Sequence, residues 1–172
     1  MRTPHQQNQQ ASTNLIGTTP APAVAAKNLK NVMGNNNRFI TFVIVRSDDR
    51  ILMQKRDDGN GKQIPYPNMW TIPGGDVQDT ETHLHAVVRE IKEEFKMEIA
   101  SDQCRFLFSY DHDDVVGEQI FLCHVSDGVQ PILHEGAAMQ WMVMDEIKKL
   151  PLAFEKNKIL SQIASNLKMN KF

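Results

Sequence analysis

From Gly75 onward the chain places residues capable of chemistry at fixed offsets: Gly75, then Glu81, then the run Arg89-Glu90-Ile91-Lys92-Glu93-Glu94. Glu90, Glu93 and Glu94 are three and four residues apart, so on a helix they share one face. Carboxylates packed that closely repel one another. Water and salt relieve this on an open face, and a hard divalent cation relieves it better, because such ions prefer carboxylate oxygens and keep several waters. An isolated E-x-x-E-E is usually only a solvated face, so the surrounding residues must decide between the two readings. To present the glutamates, the segment has to be helical. Thr82 is the expected N-cap, and the helix is expected to run to about Phe95. Leu84, Val87, Val88, Ile91 and Phe95 fall on one stripe, which predicts a core-facing side distinct from the acidic one.

Taken together, Gly75, Glu81, Arg89, Glu90, Glu93 and Glu94 resemble the signature box of the Nudix hydrolases, G-x5-E-x7-R-E-U-x-E-E-x-G-U with U aliphatic. Chance agreement at these offsets is on the order of one in ten million from average composition, which favours metal over the solvated face. The lead-in Trp70-Thr71-Ile72-Pro73-Gly74-Gly75 is similar to the segment that commonly precedes the box. The resemblance implies an α/β/α sandwich with a mixed sheet and one catalytic helix after a Gly-Gly loop. It also implies an enzyme that cleaves the diphosphate of a nucleoside diphosphate derivative by water attack on phosphorus, using Mg²⁺ or Mn²⁺.

The same resemblance implies residue roles. Glu90, Glu93 and Glu94 would be metal ligands, joined by a carbonyl oxygen of Gly74 or Gly75. Arg89 would pair with and orient the acidic residues, with Glu81 in the same network. A proton acceptor for the attacking water would come from Glu90 or Glu93, or from outside the box at Glu135, in the loop His134-Glu135-Gly136-Ala137-Ala138; an exposed turn glutamate is the competing reading there. Arg56, closing Leu52-Met53-Gln54-Lys55-Arg56, is similar to a family arginine near the substrate. Trp70 and Tyr66 flank the site in sequence and could stack on a base, with core packing the stronger alternative for Trp70. One position departs from the box: Lys96 stands where its second glycine falls. That glycine reads as a left-handed helix end, where a side chain costs about 1 kcal/mol.

Smaller candidates carry less. His83 points to the glutamate side of the helix and His85 away, so the two cannot share one ion. Asp111, Asp113 and Asp114 lack the glycine and terminal glutamate of a calcium loop, and a solvated hairpin turn is expected.

Composition bounds the partners. The whole chain of 172 residues has 19 basic and 21 acidic residues, yet no Asp or Glu precedes Asp48. Residues 1–37 hold three basic residues, so 38–172 has 16 basic against 21 acidic, a balance of −5. That sign suits a small phosphorylated nucleotide screened by metal and disfavours DNA or long RNA, including an enzyme acting on RNA ends. Cys104 and Cys123, in apolar runs, are expected as buried free thiols. No run suggests a membrane span or a secretory signal, and a cytoplasmic protein is expected. Residues 1–36, rich in Gln, Asn, Ala, Thr and Pro, read as a disordered tail ahead of one domain, 37–172.

In that domain, strands are predicted at 38–46, 50–56, 69–72, 103–110, 117–125 and 139–144. A short helix capped by Asp145 and a last helix over about 154–167 follow. The resemblance leaves a homodimer open. A nucleotide-sensing module that binds without cleaving is the alternative function, resting on Lys96 and on the use of such domains in regulators that the resemblance implies.

Overall fold

The computed structural model describes residues 38–112 and 115–169. Two apolar, β-branched runs start the fold: β1 (Phe39–Arg46) and β2 (Ile51–Lys55), joined by a tight turn and paired at Val45 and Ile51. Beyond that pair the strands diverge. The gap is filled by β3 (Trp70–Thr71), which pairs with the end of β2, and β4 (Gly74–Asp76), which pairs with the start of β1. The expected Gly-Gly turn is thus itself a short strand, because Gly75 and Gly74 register against Ile40 and Thr41.

The first helix, α1 (His83–Phe95), follows, capped by Thr82, whose hydroxyl accepts from the His85 N–H at 3.2 Å. A single turn of 3₁₀-helix leads to β5 (Cys104–His112) and β6 (Val115–Val125), an antiparallel pair longer than expected. Asp111 closes this hairpin by accepting from the Gly117 N–H, while Asp113 and Asp114 lie outside the described residues. β6 lies parallel to β1, and β7 (Ala138–Met142) completes the seven-stranded mixed sheet on the far side of β2.

Alternation along the strands divides the core into two layers. Ile40, Phe42 and Ile44 of β1, with Phe121 and Cys123 of β6, face Ala86, Val87, Ile91 and Phe95 of α1. Val43, Ile120 and Leu122 face the other way, onto Ile147 of α2 (Met144–Ile147) and Ile159, Leu160 and Ile163 of α3 (Lys156–Met169). The result is the expected α/β/α sandwich.

Two local expectations, on the cap of the short helix and the start of the last, are corrected, and for Trp70 the stronger alternative, core packing, is what the structure shows. Asp145 lies inside α2; Val143 is the N-cap, and its N–H donates to the Glu146 carboxylate at 3.0 Å. The last helix begins at Lys156, because Phe154 and Glu155 have φ of 53° and 52° and cannot continue a right-handed helix. Trp70 packs against the layer under α3 and bridges to Leu152. Cys104 and Cys123 are free and buried, as expected, and face each other across β5 and β6. Among the described residues no helix is long and apolar enough to cross a membrane.

Candidate active site

An open cleft of about 260 Å³ forms where β1 and β2 diverge, and it reaches residues of both helical layers. Gly74, Gly75, Gln54, Arg56, Glu94 and Glu135 line its α1 side. The local folding explains their placement. Because Ile91 and Phe95 are buried against the sheet, the next face of α1 turns Glu90, Glu93 and Glu94 toward the cleft edge. Glu94 itself is only 6% exposed. The loop before β7 is tied to the end of α1, its His134 and Ile132 N–H groups donating to the carbonyls of Glu94 and Phe95 at 2.7 and 2.8 Å. Ala137 donates to the Lys55 carbonyl, so Glu135 is held in the cleft wall near Glu94. The structure therefore brings Glu135 to the box, although no sequence spacing links them.

Arg89 organises the acidic side. Its guanidinium donates to Glu81 at 2.6 Å, Glu90 at 2.8 Å, Glu93 at 2.9 Å and the Asp76 carbonyl at 2.8 Å. One arginine thereby ties β4, the segment before α1, and two turns of the helix together, and the carboxylates around it hold it firmly cationic. The same contact depresses the Glu81 carboxyl below its ordinary range.

Glu94 has the opposite surroundings. Burial, reinforced by Glu135, Glu90 and Glu93, pushes its carboxyl up to about 9, and Arg56 offsets this only in part. Glu90 is also raised, first by burial and against the pull of Arg89. Burial lowers Arg56, which donates to the Pro65 carbonyl at 3.0 Å and lies over the Phe154 ring at 5.0 Å.

The glycines earn their places by close approach. A Cβ on Gly75 would sit 2.4 Å from the Glu90 carboxyl, and one on Gly74 would sit 2.3 Å from the Ile40 carbonyl oxygen. Backbone at Gly75 thus lies against the acidic face itself, as a carbonyl ligand must.

The donors gathered here are all oxygens, the set that a hard divalent cation takes. Five carboxylates, Glu81, Glu90, Glu93, Glu94 and Glu135, share Arg89 and Arg56, and Glu94, raised first by burial, is raised further by its acidic neighbours. As the side chains stand, Glu90 and Glu93 lean toward Arg89 and Glu94 toward Gln54 at 3.5 Å. Among the described residues, no three acidic or imidazole groups converge on a single point. The donor chemistry fits a metal, and ligation requires these carboxylates to turn from arginine to ion.

Three sequence candidates fall elsewhere. Trp70 is not part of the cleft lining, and Tyr66 packs edge-on against Phe154 at 4.8 Å, behind the wall. His83, in the first turn of α1, does not line the cleft either. Sequence reasoning passed over Gln54, Thr41, Glu118, Phe154 and Lys156, all lining residues. The available signal was polarity in core register: Glu118 shares a face with Ile120 and Leu122, and Lys156 precedes Ile159 and Leu160 by three and four residues.

A mixed sheet between helical layers, with a glutamate-bearing helix set over a Gly-Gly strand, is an arrangement shared with hydrolases of phosphoric anhydride bonds. Residues 36–163 match the NUDIX domain model. The chain is 27% identical over 120 residues to an uncharacterized Nudix hydrolase of Bacillus subtilis (strain 168), covering 66% of this chain and 71% of that one. It is 31% identical over 118 residues to an ADP-ribose pyrophosphatase of Methanocaldococcus jannaschii, covering 68% and 67%. A solved MutT structure, from work on Aliivibrio salmonicida and Vibrio cholerae, superposes with a TM-score of 0.62 at 24% identity, over 75% of this chain and 97% of that one. This chain belongs to the Nudix family.

Proposed function

We propose that the protein hydrolyses the diphosphate linkage of a nucleoside triphosphate or nucleotide sugar, with Mg²⁺ or Mn²⁺ held by Glu90, Glu93, Glu94 and the Gly75 carbonyl. The observation that carries this reading is geometric: Glu90, Glu93 and Glu94 share one side of α1, the Gly75 backbone lies against the Glu90 carboxyl, and Arg89 ties Glu90 and Glu93 to Glu81 and the Asp76 carbonyl. Carboxylates gathered on one helix face repel one another when ionised, and a divalent cation among them relieves that repulsion. A bound divalent ion supplies neutralisation of phosphate charge, polarisation of the phosphoryl oxygen and acidification of water.

The chain's own residues do the rest. Arg89 holds Glu90 and Glu93 in place through β4 and Glu81 and makes no substrate contact. Gly74 and Gly75 let the phosphates approach backbone that any side chain would screen. Arg56, half-buried at the cleft rim, neutralises phosphate charge. Glu135 is the proposed acceptor of the proton from the attacking water, since it lies in the cleft wall near Glu94 while Glu90, Glu93 and Glu94 are committed as metal ligands. The acidic surface supports a small nucleotide rather than DNA or long RNA as partner.

The test is release of phosphate or mononucleotide from nucleoside triphosphates, nucleotide sugars and ADP-ribose, with and without Mg²⁺ or Mn²⁺. Metal-dependent release from at least one of them is expected. Binding of nucleotide with no product under any metal would instead identify a sensing module.

A further inference from the structure

β2 carries a polar side chain into the layer under α1. Leu52 faces α1 and Met53 faces the opposite layer, so alternation turns Gln54 back toward α1, where it is only 7% exposed. An apolar residue at that register would pack as Leu52 does, whereas a buried amide costs free energy unless its donors find partners. Gln54 finds two. Its Nε2 donates to the Glu135 backbone carbonyl at 3.1 Å and to the Glu94 carboxylate at 3.5 Å, the second at the long limit of a hydrogen bond. A primary amide has two N–H donors, so one serves each partner. Glu94, Glu135 and Gln54 all line the cleft.

The platform under this contact is rigid. Gln54 registers against Thr71 of β3 on one side and Met139 of β7 on the other. The loop before β7 is pressed onto it: Gly136 has φ of +92°, and a Cβ there would lie 2.7 Å from the Lys55 carbonyl oxygen and 3.2 Å from Gln54 Cγ. A side chain at that position would push the loop off β2. Backbone hydrogen bonds from His134 to Glu94 and from Ala137 to Lys55 hold the loop on either side of Glu135, and the Glu135 carbonyl between them meets Gln54. One neutral side chain thus contacts both the buried carboxylate of α1 and the loop that bears Glu135.

Charge explains why an amide suits this place. A lysine or arginine would hold Glu94 more strongly but would also neutralise it, competing with a cation for the same oxygens, as Arg89 does at Glu90 and Glu93. An amide fixes the direction of a carboxylate and leaves its charge available. Hydrogen-bonding partners of this kind orient ligating carboxylates, and losing one costs about 10- to 100-fold in metal affinity or activity.

We propose that Gln54 is a positioning residue that holds the Glu94 carboxylate and the loop bearing Glu135 in one fixed relation. Through Glu94 it sets the geometry for binding metal, and through the Glu135 carbonyl it sets where the proton acceptor stands. It acts on both without touching substrate. The roles of Glu94 and Glu135 rest on the hydrolase reading above; the bridge itself rests on the two hydrogen bonds and on the close approach at Gly136.

The test uses Gln54→Met, which has a similar volume and removes both donors. Circular dichroism and thermal melting establish folding. Calorimetry with Mn²⁺ alone should show affinity about 10-fold weaker than wild type. On the nucleotide that wild type cleaves fastest, kcat should fall about 10- to 100-fold while KM changes less than about threefold. In a Glu135→Gln background the same substitution should cost less kcat than in wild type, because the residue being positioned is already disabled. With no metal present, amide hydrogen exchange at His134 and Ala137 should quicken in Gln54→Met.

Wild-type Mn²⁺ affinity and kcat in a folded Gln54→Met overturn the proposal, and so does a loss of equal size in both backgrounds. If Gln54→Met does not fold, Gln54→Asn, whose amide is one methylene shorter, takes its place under the same criteria. If Glu135→Gln alone keeps full turnover, the assignment of Glu135 as proton acceptor fails, and Mn²⁺ affinity and amide exchange decide the bridge. If wild type neither cleaves nucleotide nor binds Mn²⁺, the hydrolase reading fails, and unchanged exchange at His134 and Ala137 sinks the bridge as well.

Discussion

Glu94 concentrates the electrostatics of the site in one carboxyl. Its ordinary value of 4.5 rises to about 9 through burial and the neighbouring Glu135, Glu90 and Glu93. A carboxyl whose folded pKa is raised favours folding in its protonated form. Its contribution is therefore fully present below pH 4.5 and is lost as pH climbs from there through about 9. Without metal, Glu94→Gln should accordingly gain thermal stability over wild type as pH rises across that window, and Mg²⁺ should close the gap by stabilising wild type alone. A gap that does not depend on pH would show that Glu94 is not held in this way. In turnover the same variant, or Glu93→Gln, should lose about a hundredfold or more while remaining folded, the scale expected when metal stabilisation of the transition state is removed. Steady-state rates at saturating Mg²⁺ decide it.

Among the elements, α1 and β4 carry the geometry. Lys96 ends α1 in the left-handed conformation, φ 52° and ψ 29°, with its N–H donating to the Lys92 carbonyl. The helix thus exits as the glycine of the box would make it exit, with a lysine bearing the strain. That strain costs roughly 1–2 kcal/mol, and the extra unfolded-state freedom of glycine offsets about 0.4–1 kcal/mol of it. Lys96→Gly should therefore stabilise the protein by about 0.5–1 kcal/mol, read as a higher denaturation midpoint at constant slope; a lower midpoint would contradict the helix-end reading.

The two glycines of β4 should separate cleanly. A methyl on Gly74 meets the Ile40 backbone carbonyl, which cannot move without breaking the β1–β4 pairing, so Gly74→Ala should cost about 1–3 kcal/mol of stability. A methyl on Gly75 meets the movable end of Glu90, so Gly75→Ala should lose turnover far more than stability. Equal melting of the two variants would refute this assignment.

For the molecule as a whole, the family match begins at residue 36 and the sheet at Phe39, and among the described residues the cleft is lined from Phe39 onward. A chain starting at Asn37 is expected to melt at about the wild-type temperature and to retain the proposed metal-dependent turnover, since the family match spans residues 36–163. Loss of either would assign residues 1–36 to the working protein.

Local physics made much of this molecule readable in advance. The Thr82 cap, the apolar stripe of α1 and the shared face of Glu90, Glu93 and Glu94 follow from helical spacing, and apolar runs marked β1 and β6, because each of these depends only on neighbours a few residues away. Arg89 bonding Glu90 and Glu93 is likewise a matter of one and four residues. What spacing could not reveal were contacts made across the sheet. Glu135 reaches Glu94 through a loop tied to the end of α1, and Trp70 turns to the layer under α3 because β3 pairs with β2. Thr41, Glu118 and Lys156 meet only because β1 lies parallel to β6 and a left-handed kink starts α3. Pairing between residues 38 to 115 apart is set by the whole sheet, and only the folded chain could decide it.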